Sequence, residues 1–172
     1  MKTFVKVKEA DTDLLRQTAK LVTQNYGKKS HYAKWIKNGF RPYTAEYFLG
    51  QVKNPLRDLY VMLDGGAARK VIGTVVVQVV ERERYALIHK LTASSAHKGI
   101  GKIIMRKAEA IVRRKKIKHV RVEAFSPAIR LVQYYVDLGY DKVIEYKKLE
   151  EDEYTKFTKC QDVGFITLEK AI

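Results

Sequence analysis

The 172-residue chain carries 34 Lys and Arg against 19 Asp and Glu, a formal charge of +15, with apolar residues at 46% of the composition. That length and apolar share suffice for one domain with a buried core, and residues 1–172 contain no linker, repeat or low-complexity tract that would divide them. The longest uncharged apolar run, Val71 to Val80, falls far short of the roughly 20 residues of a membrane-spanning helix, and the single cysteine, Cys160, permits no intrachain disulfide and founds no metal cluster.

Met1 to Lys8 alternates polar and apolar residues and lacks the apolar block and cleavage site of a signal peptide, so the expectation is a cytoplasmic protein that opens with a strand. Asp11 is placed to cap a helix in which Leu14, Leu15, Thr18, Leu21, Val22 and Tyr26 recur at helical spacing before Gly27. An aromatic segment follows, with Tyr32, Trp35, Phe40, Tyr43, Tyr47 and Phe48; core packing is the ordinary fate of such rings, and some are free to line a pocket. Thr44 is expected to cap a second, short helix.

Leu59 to Leu63 and Val71 to Val80 read as strands joined through Asp64-Gly65-Gly66, where glycine tolerates the positive φ of a hairpin turn. Tyr85 to Leu91 reads as another strand after the charged turn Glu81-Arg82-Glu83-Arg84. From Ile100 an amphipathic helix of about four turns is predicted, with Ile103, Ile104, Ala108, Ile111 and Val112 inward and Lys102, Arg106, Glu109, Arg113 and Lys116 on the surface. Strand His119 to Phe125 precedes a helix begun by Ser126-Pro127 and stopped at Gly139; strands Lys142 to Tyr146 and Val163 to Leu168 flank the acidic run Glu150 to Glu153. The order implies a mixed α/β domain.

Charge is unevenly spread. Lys98, Lys102, Arg106, Lys107, Arg113, Arg114, Lys115, Lys116, Lys118 and Arg121 face a single acid, Glu109, over His97 to Arg121. Such a stripe attracts a phosphorylated cofactor, a nucleic acid or a ribosome surface, and a solvated helix face explains it equally.

Gly99-Ile100-Gly101 lies between a strand and a helix whose first turn carries Lys102. Residues without side chains let the backbone approach an anion, and the helix start offers unpaired N–H groups and a favourable dipole. Two other phosphate loops fail here: the dinucleotide fingerprint requires a glycine where Ile104 stands, and the P-loop requires Ser or Thr at Ile103.

The window Ala96-His97-Lys98-Gly99-Ile100-Gly101, with Leu91-Thr92-Ala93-Ser94 before it, resembles the Gln/Arg-x-x-Gly-x-Gly/Ala signature of the GNAT superfamily of acyl-CoA-dependent N-acyltransferases. Tyr134-Tyr135-Val136-Asp137-Leu138-Gly139-Tyr140 is similar to that family's Tyr-x-x-x-Gly-Phe/Tyr ending, and the resemblance covers Val71 to Tyr146. It implies the GNAT fold: a mostly antiparallel twisted sheet of about seven strands, splayed between strands 4 and 5 and flanked by about four helices. It also implies direct transfer of the acetyl group of acetyl-CoA to a primary amine of a small molecule, a peptide N-terminus or a lysine, with no metal. By the same resemblance the backbone of Gly99, Ile100, Gly101 and Lys102 holds the pyrophosphate and Lys98 neutralises it. Leu91 and Ala93 bond the pantetheine arm through their main chain, the Leu91 amide polarises the acyl carbonyl, and Tyr135 protonates the departing thiolate.

The acceptor site is expected between the aromatic segment and the connection before the last strand, whose Glu150 to Glu153 run suits a cationic amine. Alternation along a regular strand sets Glu83, Tyr85, Leu87 and His89 on one face, which makes His89 and Glu83 the candidate bases. Three positions depart from the family pattern: Ala96 for Gln or Arg, Ala128 for Asn and Leu131 for a small residue. They leave open a rival reading, a non-catalytic acyl-CoA-binding module whose basic helix docks on RNA or a ribosome. Oligomeric state has no sequence signal.

Overall fold

The computed structural model describes residues 2–26, 42–148 and 164–172. In chain order they form β1 (Thr3–Lys6), α1 (Thr12–Tyr26), α2 (Ala45–Lys53), β2 (Arg57–Leu63), β3 (Val71–Val80), β4 (Tyr85–Ala93), α3 (Ile100–Arg114), β5 (His119–Phe125), α4 (Ile129–Val136), β6 (Lys142–Lys148) and β7 (Gly164–Ala171). None of the described helices is long and apolar enough to cross a membrane.

All seven strands join one sheet in the order β1-β2-β3-β4-β5-β7-β6. Neighbours are antiparallel except β4 and β5, which run parallel. Their pairing spans only Tyr85–Ile88 against His119–Val122. Beyond Ile88 the two strands continue unpaired with each other, to Ala93 and Phe125, and the sheet opens into the expected wedge.

The β-branched run of β3 is buried through Val77, as a central strand covered on both faces must be. One face packs under α3 and α4 with Ile72, Val75, Ile88, Ile104 and Val122; the other packs under α1 and α2 with Val22, Phe48, Val61 and Val76. Gly73 sets the spacing of β3 and α3. A Cβ there would collide with Ile104 Cδ1 and lie 3.0 Å from Ile100 Cγ2.

Local chemistry differs from the sequence reading at four points. The 64–70 loop is closed by Asp64, whose N–H donates to Lys70 O at 2.9 Å and whose carboxylate accepts the Lys70 N–H at 2.8 Å, and the positive φ falls on Arg69, not on a glycine. Asp11 precedes α1 as expected, yet its carboxylate accepts the Lys8 N–H. Ser126 does not cap α4: its hydroxyl accepts the Gly164 N–H at 3.1 Å, fastening the start of β7, and the helix begins two residues after Pro127. Glu109 is buried, because it shares a helical face with Met105 and Val112. There it accepts hydrogen bonds from the Tyr140 hydroxyl at 3.0 Å and Lys170 Nζ at 3.1 Å, leaving the exposed face of α3 with Lys102, Arg106, Lys107, Arg113 and Arg114. Thr44 does cap α2, accepting the Tyr47 N–H.

Candidate active site

The site is built on an irregularity in β4. Thr74 pairs with Thr92 but Val76 pairs with His89, so β4 carries one residue more than β3 across this stretch, and Lys90 takes φ 55°. In a regular strand His89 and Lys90 would point to opposite faces. The bulge lets both line the cavity at the wedge, while Leu91 and Ala93 pack against the α3-side core.

Beyond Ala93 the chain is tied down by Ser94 N–H on Ile72 O at 2.9 Å and His97 N–H on Ser94 O at 3.0 Å, then reaches Gly99 at φ 79°. Gly99 is the N-cap of α3 and no side chain caps this helix. Ile100 N–H turns back to His97 O at 3.4 Å; among the described residues nothing accepts the N–H groups of Gly99, Gly101 and Lys102. Gly101 lies under Tyr134: a Cβ at Gly101 would stand 3.0 Å from Tyr134 Oη. Lys98 is exposed beside the turn. Unpaired N–H groups, an absent Cβ and adjacent lysines fit a pyrophosphate.

The wedge encloses a cavity of about 440 Å³. Its walls include His89, Lys90, Leu91 and Ala93 of β4, Glu123 and Phe125 of β5, and Tyr135 of α4, with Tyr26 and Tyr43 closing the α1 and α2 side. Tyr135 is 5% exposed, with its ring packed against Tyr134 and Tyr140 at 5.4 and 6.0 Å between centroids. His89 Nε2 is buried without a partner among the described residues. Burial, aided by the Lys90 and Arg57 charges, pushes the His89 pKa down to about 4, so the ring is neutral near pH 7. Burial alone would lower the Lys90 pKa as well, but the hydrogen bond from its ammonium to Tyr43 Oη at 3.0 Å and the nearby Tyr47 leave it raised.

Among the described residues five buried side-chain polar atoms have no partner, and four of them belong to this region: His89 Nε2, Thr92 Oγ1, His97 Nδ1 and Tyr134 Oη. Folded proteins pair the great majority of such atoms, at a cost of about 1–3 kcal/mol for each one left. Their clustering along β4, the glycine turn and α4 marks a place organised for a polar guest.

The structure thus brings Leu91, Ala93, His89 and Tyr135 to one cavity, and the Lys98 to Lys102 turn, which follows β4 in the chain, meets α4 at Tyr134 beside Gly101. It does not bring Glu83 to them. The shared face required a regular strand reaching back to Glu83, but β4 starts at Tyr85 and Arg84 takes φ 57°, so Glu83 falls in the preceding turn. Its carboxylate lies 3.6 Å from Arg121 Nη1 and lines a separate cleft with Lys115 and Lys118. Tyr32, Trp35, Phe40, His31, Cys160 and Glu150 to Glu153 lie outside the described residues.

Two charged cavity residues escape the sequence reading. Glu123 has a signal, the alternation of His119, Arg121 and Glu123 against Val120, Val122 and Ala124 in β5. Lys90 has none, since nothing in the sequence announces the bulge.

Comparison with known proteins agrees with this geometry. A family model described as Acetyltransferase (GNAT) family matches residues 23–140. No curated protein sequence matches the chain. Among solved structures, an N-acetyltransferase from Staphylococcus aureus Mu50 is similar at a TM-score of 0.72 and 14% identity, covering 99% of this chain and 97% of that one. The ribosomal-protein-S18-alanine N-acetyltransferase from Escherichia coli is similar at a TM-score of 0.69 and 11% identity, covering 100% and 94%. A Bacillus anthracis str. Ames structure in complex with acetyl coenzyme A is similar at a TM-score of 0.58 and 16% identity, covering 72% and 66%. The structural likenesses establish the fold, and the family model spans more than half of the sequence: the chain belongs to the GNAT family of acetyltransferases.

Proposed function

We propose that this protein, acting as one catalytic unit over residues 1–172, is an N-acetyltransferase that moves the acetyl group of acetyl-CoA directly onto a primary amine. The observation that carries this reading is spatial. The uncapped start of α3 and the bulge of β4 are ends of one continuous segment, and the cavity beside them is closed by Tyr135. The amides of Gly99, Gly101 and Lys102, with Lys98, would hold the pyrophosphate, and the main chain of Leu91 and Ala93 would lie along the pantetheine arm. The Ile100 amide contributes less than the others because His97 already engages it. The acetyl coenzyme A complex of the Bacillus anthracis neighbour supports the choice of donor.

In the transfer, the amine nitrogen attacks the thioester carbonyl, the carbon–sulfur bond breaks, and the Tyr135 hydroxyl gives its proton to the departing thiolate. The amine proton leaves to neutral His89 or to Glu123, the carboxylate that lines the same cavity. Glu83, paired to Arg121 at the far end of β4, takes no part. The acceptor is a small amine or a peptide amine; the Escherichia coli neighbour, named for a ribosomal protein alanine, keeps a peptide N-terminus within range. The non-catalytic module is the weaker reading because it gives Tyr135, His89 and the cavity no role.

Replacing Tyr135 by Phe tests the assignment. A positioned general acid contributes about 10²- to 10⁴-fold, so Tyr135→Phe should lower amine-dependent release of coenzyme A by that order while the thermal shift induced by acetyl-CoA persists. Undiminished turnover would remove Tyr135 from the mechanism.

A further inference from the structure

Resting on that acetyltransferase reading, the geometry points to an acceptor that carries an anionic group, a carboxylate or phosphate, beside its reactive amine, with Lys90 as the residue that selects it. A fixed cation in the acceptor cavity is unexpected for an enzyme of amines, since an incoming ammonium would be repelled by it. Lys90 nevertheless stands there, placed by the bulge on the same side as His89. Its ammonium is held by Tyr43 Oη at 3.0 Å and sits 4.9 and 5.6 Å from the ring centroids of Tyr43 and Tyr47. Rings and a phenol keep a cation in position without neutralising it. No carboxylate pairs with Lys90 among the described residues; the described ion pairs engage other cations.

Glu123 enters the same cavity from β5, across the wedge from β4. The pocket therefore offers a cation and an anion from its two opposed strands. The chemistry that satisfies both at once is an amine held near Glu123, His89 and Tyr135 whose own acidic group reaches Lys90. A neutral amine or a simple diamine would leave Lys90 without an anionic partner among the described residues in a partly desolvated site, which disfavours it relative to the acidic acceptor.

The test compares matched acceptors that differ only in charge: amino acids with α-, β- and γ-amino groups and the corresponding carboxamides, together with an aminoalkyl phosphate and its neutral alcohol. Coenzyme A release is followed with acetyl-CoA saturating. The wild-type protein should prefer an acid over its neutral partner in kcat/KM by about tenfold or more, the range of a charge-assisted contact. Lys90→Met should bring that ratio close to one, chiefly through KM, and Lys90→Arg should keep it. Tyr43→Phe, which removes the phenol that holds the ammonium, should lower the ratio part of the way. Equal or better use of the neutral partners by the wild type, or a ratio unchanged in Lys90→Met, overturns the inference and leaves the acetyltransferase reading standing. Release from none of the acceptors, with no thermal shift from acetyl-CoA, overturns both.

Discussion

His89 is a residue whose environment makes a measurable statement about the fold. Its ring is enclosed on the cavity side of β4 with Lys90 next in sequence and Arg57 within electrostatic reach, and its pKa lies near 4 against an ordinary value of 6.5. The folded protein therefore binds fewer protons than the unfolded chain between those values. Stability attached to keeping the ring neutral is complete above about pH 6.5 and is lost as pH falls toward 4, amounting to at most about 3 kcal/mol. Denaturant titrations of the wild type and of His89→Gln at pH 7, 5.5 and 4.5 should diverge, with the variant losing less stability on acidification; parallel curves would show that the ring is not held neutral by the fold. The same neighbourhood shows where residue-level inference from sequence stops. His89 and Tyr135 are readable because their positions follow from strand alternation and from the family-like helix ending. Lys90 is not, because its orientation depends on an extra residue accommodated against β3, a property of two strands together.

At the scale of elements, the amphipathic pattern of Ile103, Ile104, Ala108, Ile111 and Val112 gives α3 and its orientation; the helix is found over Ile100–Arg114 with Ile104, Ala108, Ile111 and Val112 buried, whereas Ile103, expected inward, is 40% exposed and Ile100 takes the inward place one turn before Ile104. Periodicity could not say how near α3 approaches the sheet, nor that Lys170 and Tyr140, which arrive from elements far along the chain, would pair Glu109 on the buried face. The approach is decided at Gly73, where β3 passes beneath Ile100 and Ile104 and 3.2 Å separates a hypothetical Cβ from Thr92 O. Because α3 begins at the glycine turn and Thr92 belongs to β4, any adjustment here moves the backbone we propose to hold the pyrophosphate as well as the core. Gly73→Ala should destabilise the protein by about 1–3 kcal/mol, as overpacking of a close contact does, and weaken the thermal shift from acetyl-CoA. Gly50→Ala supplies the contrast, since nothing lies within 4 Å of a Cβ at that position. A small gain in stability is expected there, because the residue is inside α2. Equilibrium unfolding in urea separates the two.

Taken as a whole, the molecule is two antiparallel halves of a sheet joined by the short parallel seam of Tyr85–Ile88 with His119–Val122. Opening at one end of that seam creates the cavity, so the other end has to stay closed. Arg121 fastens it. The guanidinium lies 3.9 Å from the Tyr85 ring centroid, reaches Glu83 at 3.6 Å across the seam, and donates to Glu169 of β7 at 2.8 Å. Glu169 is 4% exposed and also holds Lys142 at 3.0 Å, so β5, β6 and β7 meet through one buried carboxylate and β4 joins them through the Arg121 guanidinium. Removing a partner from such a group is costly even where forming it is nearly neutral. Arg121→Met should therefore lower unfolding free energy by about 3 kcal/mol and reduce turnover indirectly, by letting the seam and hence the wedge relax. Glu83→Gln bears only on the exposed arm of the cluster, and exposed pairs contribute about 0–1 kcal/mol. Its turnover should stay within about twofold of wild type, as expected of a residue remote from the cavity. The pair of variants divides the roles cleanly: a large loss of activity in Glu83→Gln at unchanged stability would return Glu83 to the chemistry, whereas loss confined to Arg121→Met, in step with its stability, assigns that end of β4 to holding the sheet closed while the other end reacts.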